Sequence, residues 1–303
     1  MMGRSGLRKQ SATGYIFDTI NYLCLGLFSL VCLYPFLHVV FSSFSTPEGL
    51  NSSFGIMLGP QGFSLKGYEL TLKSTGILTG YLNTIFYVTA GTALNVFFTG
   101  LLAYVLASKA FWKKYIMIII VFTMFFNGGL IPTFLLVRSL KMLNTRWAML
   151  IPGLISTWNL IIMRTYFMSL PASLEESARI DGATPYRIFF RIIIPLSTPV
   201  VAVMVLYYGV GHWNSWFNAL IYLRNRKLYP LQMFLREILI QNVYTAVGGG
   251  DAIRPSQYQM ETDINEEILK NAFIVVATIP IILFYPFLQR YFIKGVMIGA
   301  LKG

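Results

Sequence analysis

Glu175, Glu176, Arg179, Asp181, Arg187 and Arg191 place both signs of charge within one short stretch, with Leu174, Ile180 and Ala183 between them. An apolar knob rimmed by charges suits reversible docking into a partner's pocket. A second cluster, Tyr207, Tyr208, His212, Trp213, Asn214 and Trp216, combines aromatic faces with hydrogen-bonding groups. Sugars offer apolar C–H faces and many hydroxyls, so such a platform could hold them loosely in passage. At helical spacing Tyr208, His212 and Ser215 share one face, whereas Trp213 and Trp216 share an adjacent one. An interfacial aromatic belt would use the same residue types. No catalytic residue is predicted, because no nucleophile, metal set or acid pair stands out. His38 and His212 lie far apart with no Cys, Asp or Glu arrangement beside them, which argues against a metal site. Cys24 and Cys32 sit about 12 Å apart on a helix, too far for a disulfide.

The charged stretch parses as two short helices joined at glycine. Ser173 with Glu176 predicts a capping box for the first, and Gly182 supplies the permissive backbone that ends it. Thr184 caps the second with Pro185 at its first position, and Pro195 interrupts it as the chain re-enters an apolar run. Glu176-Ser177-Ala178, Gly182 and Ile192-Ile193-Ile194-Pro195 resemble the "EAA" loop of binding-protein-dependent ABC importer permeases, with Ser177 replacing the first Ala and Ile194 replacing Leu. The resemblance implies that residues 169–195 form a cytoplasmic coupling loop. Glu175, Glu176, Ser177, Ala178, Arg179, Asp181, Gly182, Ala183 and Pro195 would then serve its contact with an ATPase.

The C-terminal run, with Gly295, Gly299, Lys302 and Gly303, is similar to the short tail of the maltose-importer type of permease, which reaches into the ATPase interface. Its position after the last apolar run predicts a flexible contact tail rather than a helix-dimer motif. The resemblance points to the oligosaccharide branch, with maltose, alginate-fragment and pectin-fragment importers. It implies four kinds of partner: a second, similar permease subunit, two ATPase subunits that bind ATP and Mg²⁺, an extracellular or periplasmic sugar-binding protein, and membrane lipid. This chain has no Gly-x-x-x-x-Gly-Lys-Ser/Thr loop, so it needs no cofactor of its own and is read as a non-catalytic subunit.

These groups must be positioned by membrane helices. Over half the residues are apolar and 12% are charged, too greasy for a soluble domain of 303 residues. The net charge of +12 is scattered between apolar runs, which excludes a nucleic-acid-binding domain. Apolar length predicts an all-α polytopic protein forming one permease domain over 1–303, with six spans near 15–41, 81–107, 115–137, 147–168, 196–222 and 272–293. The first is too long for a signal h-region. Basic residues divide 13 to 11 between the alternate sides, a weak bias; the loop resemblance instead implies cytoplasmic termini in a bacterial inner membrane. The alternative class, an ion-coupled secondary transporter or channel, would ordinarily carry ionisable residues inside its spans; only Asp18, Arg164 and Arg290 near span ends, His38 and His212 occur there.

Overall fold

The structure, a computed structural model, describes residues 12–52, 55–108, 111–126, 128–246 and 266–300, and the described residues contain helices but no strand. In chain order the helices are α1 (Ala12–Ser43), α2 (Pro47–Ser52), α3 (Lys66–Lys73), α4 (Thr75–Ala107), α5 (Lys113–Phe125) and α6 (Leu130–Ser139). Then follow α7 (Trp147–Leu150), α8 (Thr157–Met168), α9 (Ala172–Ile180), α10 (Pro185–Ile188), a π turn (Phe189–Ile193) and α11 (Ile194–Leu196). The remainder is α12 (Thr198–Trp213), α13 (Trp216–Tyr222), a 3₁₀ turn (Arg226–Leu228), α14 (Leu231–Ala246) and α15 (Glu266–Ala300).

The described residues fall into two compact units, within Met1–Thr71 plus Arg254–Val275 and within Leu72–Ile253 plus Val276–Gly303. In the first, large apolar side chains of α1 from Tyr15 to Leu33 are exposed, as in a helix whose solvent is lipid. Its C-terminal end is polar and closed. Asn271 donates to Ser42 Oγ at 2.8 Å, Ser43 Oγ and Tyr68 Oη share a 2.6 Å bond, and the Met57 N–H donates to Tyr34 Oη.

In the second unit α4 is the spine. Asn83, Thr84, Thr92, Asn95 and Thr99 are all buried along it, with Tyr87 and Gly91 in the same stripe. Spacings of three and four put them on one face, where a helix in lipid must turn its polar groups inward. They satisfy irregular backbone elsewhere. Asn83 donates to the carbonyls of Lys227 and Tyr229, Tyr87 to that of Leu228, and Thr84 accepts from the Leu231 N–H. Deeper, Asn95 donates to the carbonyls of Gly153 and Leu154 at 2.8 and 2.7 Å.

Those bonds explain the main departure from six plain spans. Among the described residues α1 and α4 are the helices that are long and apolar enough to cross a membrane, and up to four spans result if each of two bent pairs counts as one. The 115–137 run splits into α5 and α6, inclined at 115°, with Gly129 at φ +86° before the second. The 147–168 run is not one helix: α7 stops at Leu150, Pro152 and Gly153 break the ladder, and α8 starts at Thr157. Asn95 and Tyr208 take up the freed backbone groups, which is what permits non-helical chain at membrane depth. The 196–222 run is divided at Asn214 and Ser215, and α12 leaves the Pro185–Leu196 segment at 85°. The last helix, α15, extends beyond 272–293 at both ends and contains Pro280 and Pro286.

Candidate functional site: the loop between α8 and α12

Gly182 sits at φ +75°, the left-handed region open to glycine without a Cβ penalty. Around it the Ala183 N–H donates to the Ala178 carbonyl at 2.9 Å and the Gly182 N–H to the Arg179 carbonyl at 3.1 Å. This pair of bonds is a Schellman termination of α9, in which the alanine and glycine of the motif are its two chemical ends. The capping box is not formed. Pro171 occupies the N-cap with no side-chain bond, and Ser173 lies inside the helix. Proline fixes the entry dihedral itself, so a hydroxyl cap is not needed there.

The second helix starts as its sequence predicts, with Thr184 Oγ1 accepting from the Arg187 N–H and Pro185 at the first position. Pro195 does not interrupt it there. The Ile194 N–H reaches back to the Phe189 carbonyl, five residues away, and this π turn accommodates the missing proline donor. The sharp bend falls two residues later, at Ser197, where α12 begins.

Ile188, Phe189 and Ile193 are buried against Ala103 and Leu106 of α4, Leu160, Met163 and Phe167 of α8, and Val200 and Met204 of α12. Ala178 and Ala183 pack on the same cluster, so Ala183 faces inward rather than joining the exposed knob. The side chains turned outward are Leu174, Tyr186 and above all Ile180, which is 87% exposed. Glu175 is the anchor: its Oε1 accepts from Arg179 at 2.7 Å and from Tyr104 of α4 at 3.2 Å. The hydrogen bond from Arg179 to Glu175, with the attraction of the carboxylate, raises the Arg179 guanidinium above its ordinary value. An exposed pair at this spacing contributes about 0.3–0.5 kcal/mol, so its role is orientation more than stability. Tyr104 also lies against the Phe189 ring at 5.5 Å, and it was not legible in the sequence as part of this site. The loop is thus clamped to α4 as well as joined to α8 and α12.

The second cluster is distributed differently. Tyr208 is buried, its Oη bonded to Thr99 Oγ1 at 2.7 Å and accepting from the Ser156 N–H at 3.0 Å. His212 Nε2 bonds Asn95 Oδ1 at 2.6 Å. Trp213 is buried edge-on to Tyr81, whose hydroxyl donates to the Val276 carbonyl. Because α12 ends at Trp213, the helical faces drawn through Ser215 and Trp216 do not continue. Asn214 and Trp216 are exposed, and the Arg236 guanidinium lies 5.3 Å over the Trp216 ring. Asn95 and Thr99 are the partners that sequence reasoning missed; uncharged polar residues at steps of four inside an apolar run were the available signal. Tyr208→Phe should leave the Ser156 N–H and Thr99 without this partner at a cost of about 1–3 kcal/mol. A lowered thermal midpoint with unaltered solute selectivity is the expected result; altered selectivity at an unchanged midpoint would return Tyr208 to the solute path.

Of the C-terminal residues, Gly295 and Gly299 continue α15 instead of forming a separate flexible tail, and Lys302 and Gly303 lie outside the described residues.

The family described as "Binding-protein-dependent transport system inner membrane component" matches residues 96–298. The polygalacturonan/rhamnogalacturonan transport system permease protein YtcP of Bacillus subtilis (strain 168) is 40% identical, covering 95% of this chain and 99% of its own. Protein LplC of the same organism is also 40% identical, with 96% of each chain covered. A solved bacterial ABC transporter involved in import of the acidic polysaccharide alginate superposes with a TM-score of 0.85 at 32% identity, over 93% of this chain and 99% of that one. With its loop clamped to a polar-spined helical unit and residues 96–298 matched by the family, the chain belongs to the inner membrane components of binding-protein-dependent transport systems.

Proposed function

We infer that this chain is the membrane-embedded permease subunit of an ABC importer for oligosaccharides and that the α9–α10 loop couples it to ATP hydrolysis by its partners. The observation that carries the coupling role is the rigid, outward-facing loop: a Schellman-closed α9 presents Ile180, while Glu175 and Phe189 fix its base to α4. The carbohydrate class is supported by relatives named for polygalacturonan, arabinooligosaccharides and galactooligosaccharides.

In the assembly this chain pairs with a second permease subunit, two ATPase subunits that hold ATP and Mg²⁺, and a sugar-binding protein. The loop and both termini face the cytoplasm of a bacterial inner membrane. The C-terminal residues around Gly295, Gly299, Lys302 and Gly303 add a second ATPase contact. The solute passes Asn214 and Trp216, with Tyr208, His212 and Trp213 shaping the wall behind them.

The complex reconstituted in vesicles with its binding protein should import an oligosaccharide only with internal ATP. Uptake should persist when ionophores collapse every ion gradient. Uptake that survives ATP depletion and stops with the ionophore would transfer the protein to the ion-coupled class.

A further inference from the structure

Arg138, Lys141 and Arg146 around the α6–α7 turn and Arg224, Arg226 and Lys227 after α13 are all exposed. Two side chains stitch these turns to each other and to α4. Asn144 Oδ1 accepts the Arg224 and Asn225 N–H groups at 3.0 and 2.8 Å, and Asn83 of α4 donates to the Lys227 and Tyr229 carbonyls. Arg146 reaches Asn83 Oδ1 at 3.4 Å and lies 4.5 Å over the Phe86 ring. The six cations thus form one rim. Arg226 pairs with Glu237 at 2.7 Å, and the other five have no carboxylate partner among the described residues.

One cation of the rim is held against its own backbone. The Met142 N–H donates to the Val137 carbonyl at 3.1 Å and the Lys141 N–H to the Arg138 carbonyl at 3.0 Å, a Schellman end to α6 with Lys141 at φ +55°. Glycine fills that position without strain, so a lysine there keeps a charge on the rim at a conformational cost.

The length of α4 gives the depth of the rim in the bilayer. Its apolar span, Gly76–Ala107, has 32 residues and runs about 48 Å, against about 30 Å of hydrocarbon. Centred, it overshoots each face by about 9 Å, or roughly six residues, which puts the boundaries near Leu82 and Leu101. Beyond the second, Tyr104 holds the loop between α8 and α12. At the first stands Asn83, with Arg146 and the Lys227 carbonyl bonded to it. Leu82 and Ile85 are exposed on the same turns of α4, and Leu136, Leu140 and Trp147 are exposed among the cations of the α6–α7 turn. Cations interleaved with exposed apolar side chains at a hydrocarbon boundary match a leaflet, which covers the apolar groups and presents phosphates at that depth.

We propose that this rim binds anionic phospholipid headgroups of the leaflet facing away from the α8–α12 loop, with the lipid phosphates on Arg138, Lys141, Arg224 and Lys227. On the topology proposed above, these cations fall on the side that ordinarily carries fewer, and a lipid role keeps them there. That accounts for the near-even division of basic residues between the two sides.

The test uses the full chain in its assembled complex, purified in uncharged detergent, with phosphatidylglycerol as probe and phosphatidylcholine as the zwitterionic counterpart. Retained lipid is titrated by native mass spectrometry. Wild type should hold phosphatidylglycerol more tightly than phosphatidylcholine by about tenfold or more. Two paired variants, Arg138→Gln with Lys141→Gln and Arg224→Gln with Lys227→Gln, should each weaken phosphatidylglycerol about 25-fold, roughly fivefold for each charge. Neither pair should change phosphatidylcholine, which checks the fold. None of the four side chains makes a hydrogen bond or ion pair among the described residues, so the substitutions leave the turns supported. Arg138→Lys with Arg224→Lys should retain phosphatidylglycerol, because a phosphate accepts a point charge. Equal retention of the two lipids by wild type, or full phosphatidylglycerol affinity in both paired variants, overturns the proposal. Displacement of the lipid by glycerol 1-phosphate at matched concentration also overturns it, since the site would then serve a free phosphate ester. So do paired variants that keep phosphatidylglycerol and lose the binding protein, which would assign the cations to an acidic face of that protein. The readout is bound lipid, so the outcome is independent of which solute the complex imports.

Discussion

Gly182→Val should weaken ATPase docking and with it oligosaccharide-stimulated ATP hydrolysis, while leaving the helical unit folded. At φ +75° a β-branched side chain meets its own backbone, at a cost of about 1–2 kcal/mol or more. No neighbouring atom lies within 4 Å of a Cβ built there, so the penalty is local strain and not a clash with the core. The chain can relieve it only by leaving the left-handed region, which breaks the Gly182–Arg179 and Ala183–Ala178 bonds that close α9. Ile180, just before that closure, then loses its fixed direction relative to α10. One to two kcal/mol shifts such an equilibrium by roughly 5–30-fold, and oligosaccharide-stimulated ATP hydrolysis and ATPase co-purification should fall within that range. Gly182→Asn is the control, because asparagine visits this conformation at small cost and should retain most coupling. A valine variant that co-purifies and transports at wild-type levels removes the turn from the mechanism.

The loop between α8 and α12 was legible because its signals are local. A glycine that must be left-handed, a Thr-Pro cap and a nearby proline act through neighbours in sequence, and Gly182, Thr184 and Pro185 stand as their types predict. Ser173 misled because Pro171, two residues earlier, already sets the helix entry. The spans were legible as apolar length and not as helices. Composition registers that residues 147–168 lie in an apolar environment, but the break at Pro152 and Gly153 depends on Asn95, more than fifty residues away, accepting the task of bonding the freed carbonyls. The α12–α13 break limits the aromatic cluster in the same way. Tyr208 and His212 read as solute ligands because their partners Thr99 and Asn95 are supplied by α4, and no spacing rule within residues 207–216 reveals that. Tyr104 was hidden for the same reason: it meets Glu175 across 71 residues of chain.

The second large effect is expected at the crossing of α4 and α12. A Cβ on Gly91 would lie 2.4 Å from His212 Nε2, with Cε1 at 2.6 Å and Cδ2 at 2.8 Å, so three ring atoms stand where any side chain must begin. The ring cannot simply rotate aside, because Nε2 is bonded to Asn95 Oδ1 at 2.6 Å and Asn95 in turn holds the carbonyls of Gly153 and Leu154. Gly91→Val therefore forces either separation of the helices or loss of that network. Overpacking costs about 1–3 kcal/mol, and each buried polar group left unpaired adds about 1–3 kcal/mol. Against a total stability of about 5–15 kcal/mol, the sum should remove most folded protein and lower the thermal midpoint of what remains. Gly91→Ala should show the same defect in smaller measure. Combining Gly91→Ala with His212→Ala relieves the clash while sparing the Asn95 amide bonds, so the double variant should be more stable than Gly91→Ala alone, a positive coupling between contacting residues. A Gly91→Val protein with the wild-type midpoint, or a double variant whose loss equals the sum of the two single losses, would show that the glycine is not what lets α4 and α12 close on the histidine.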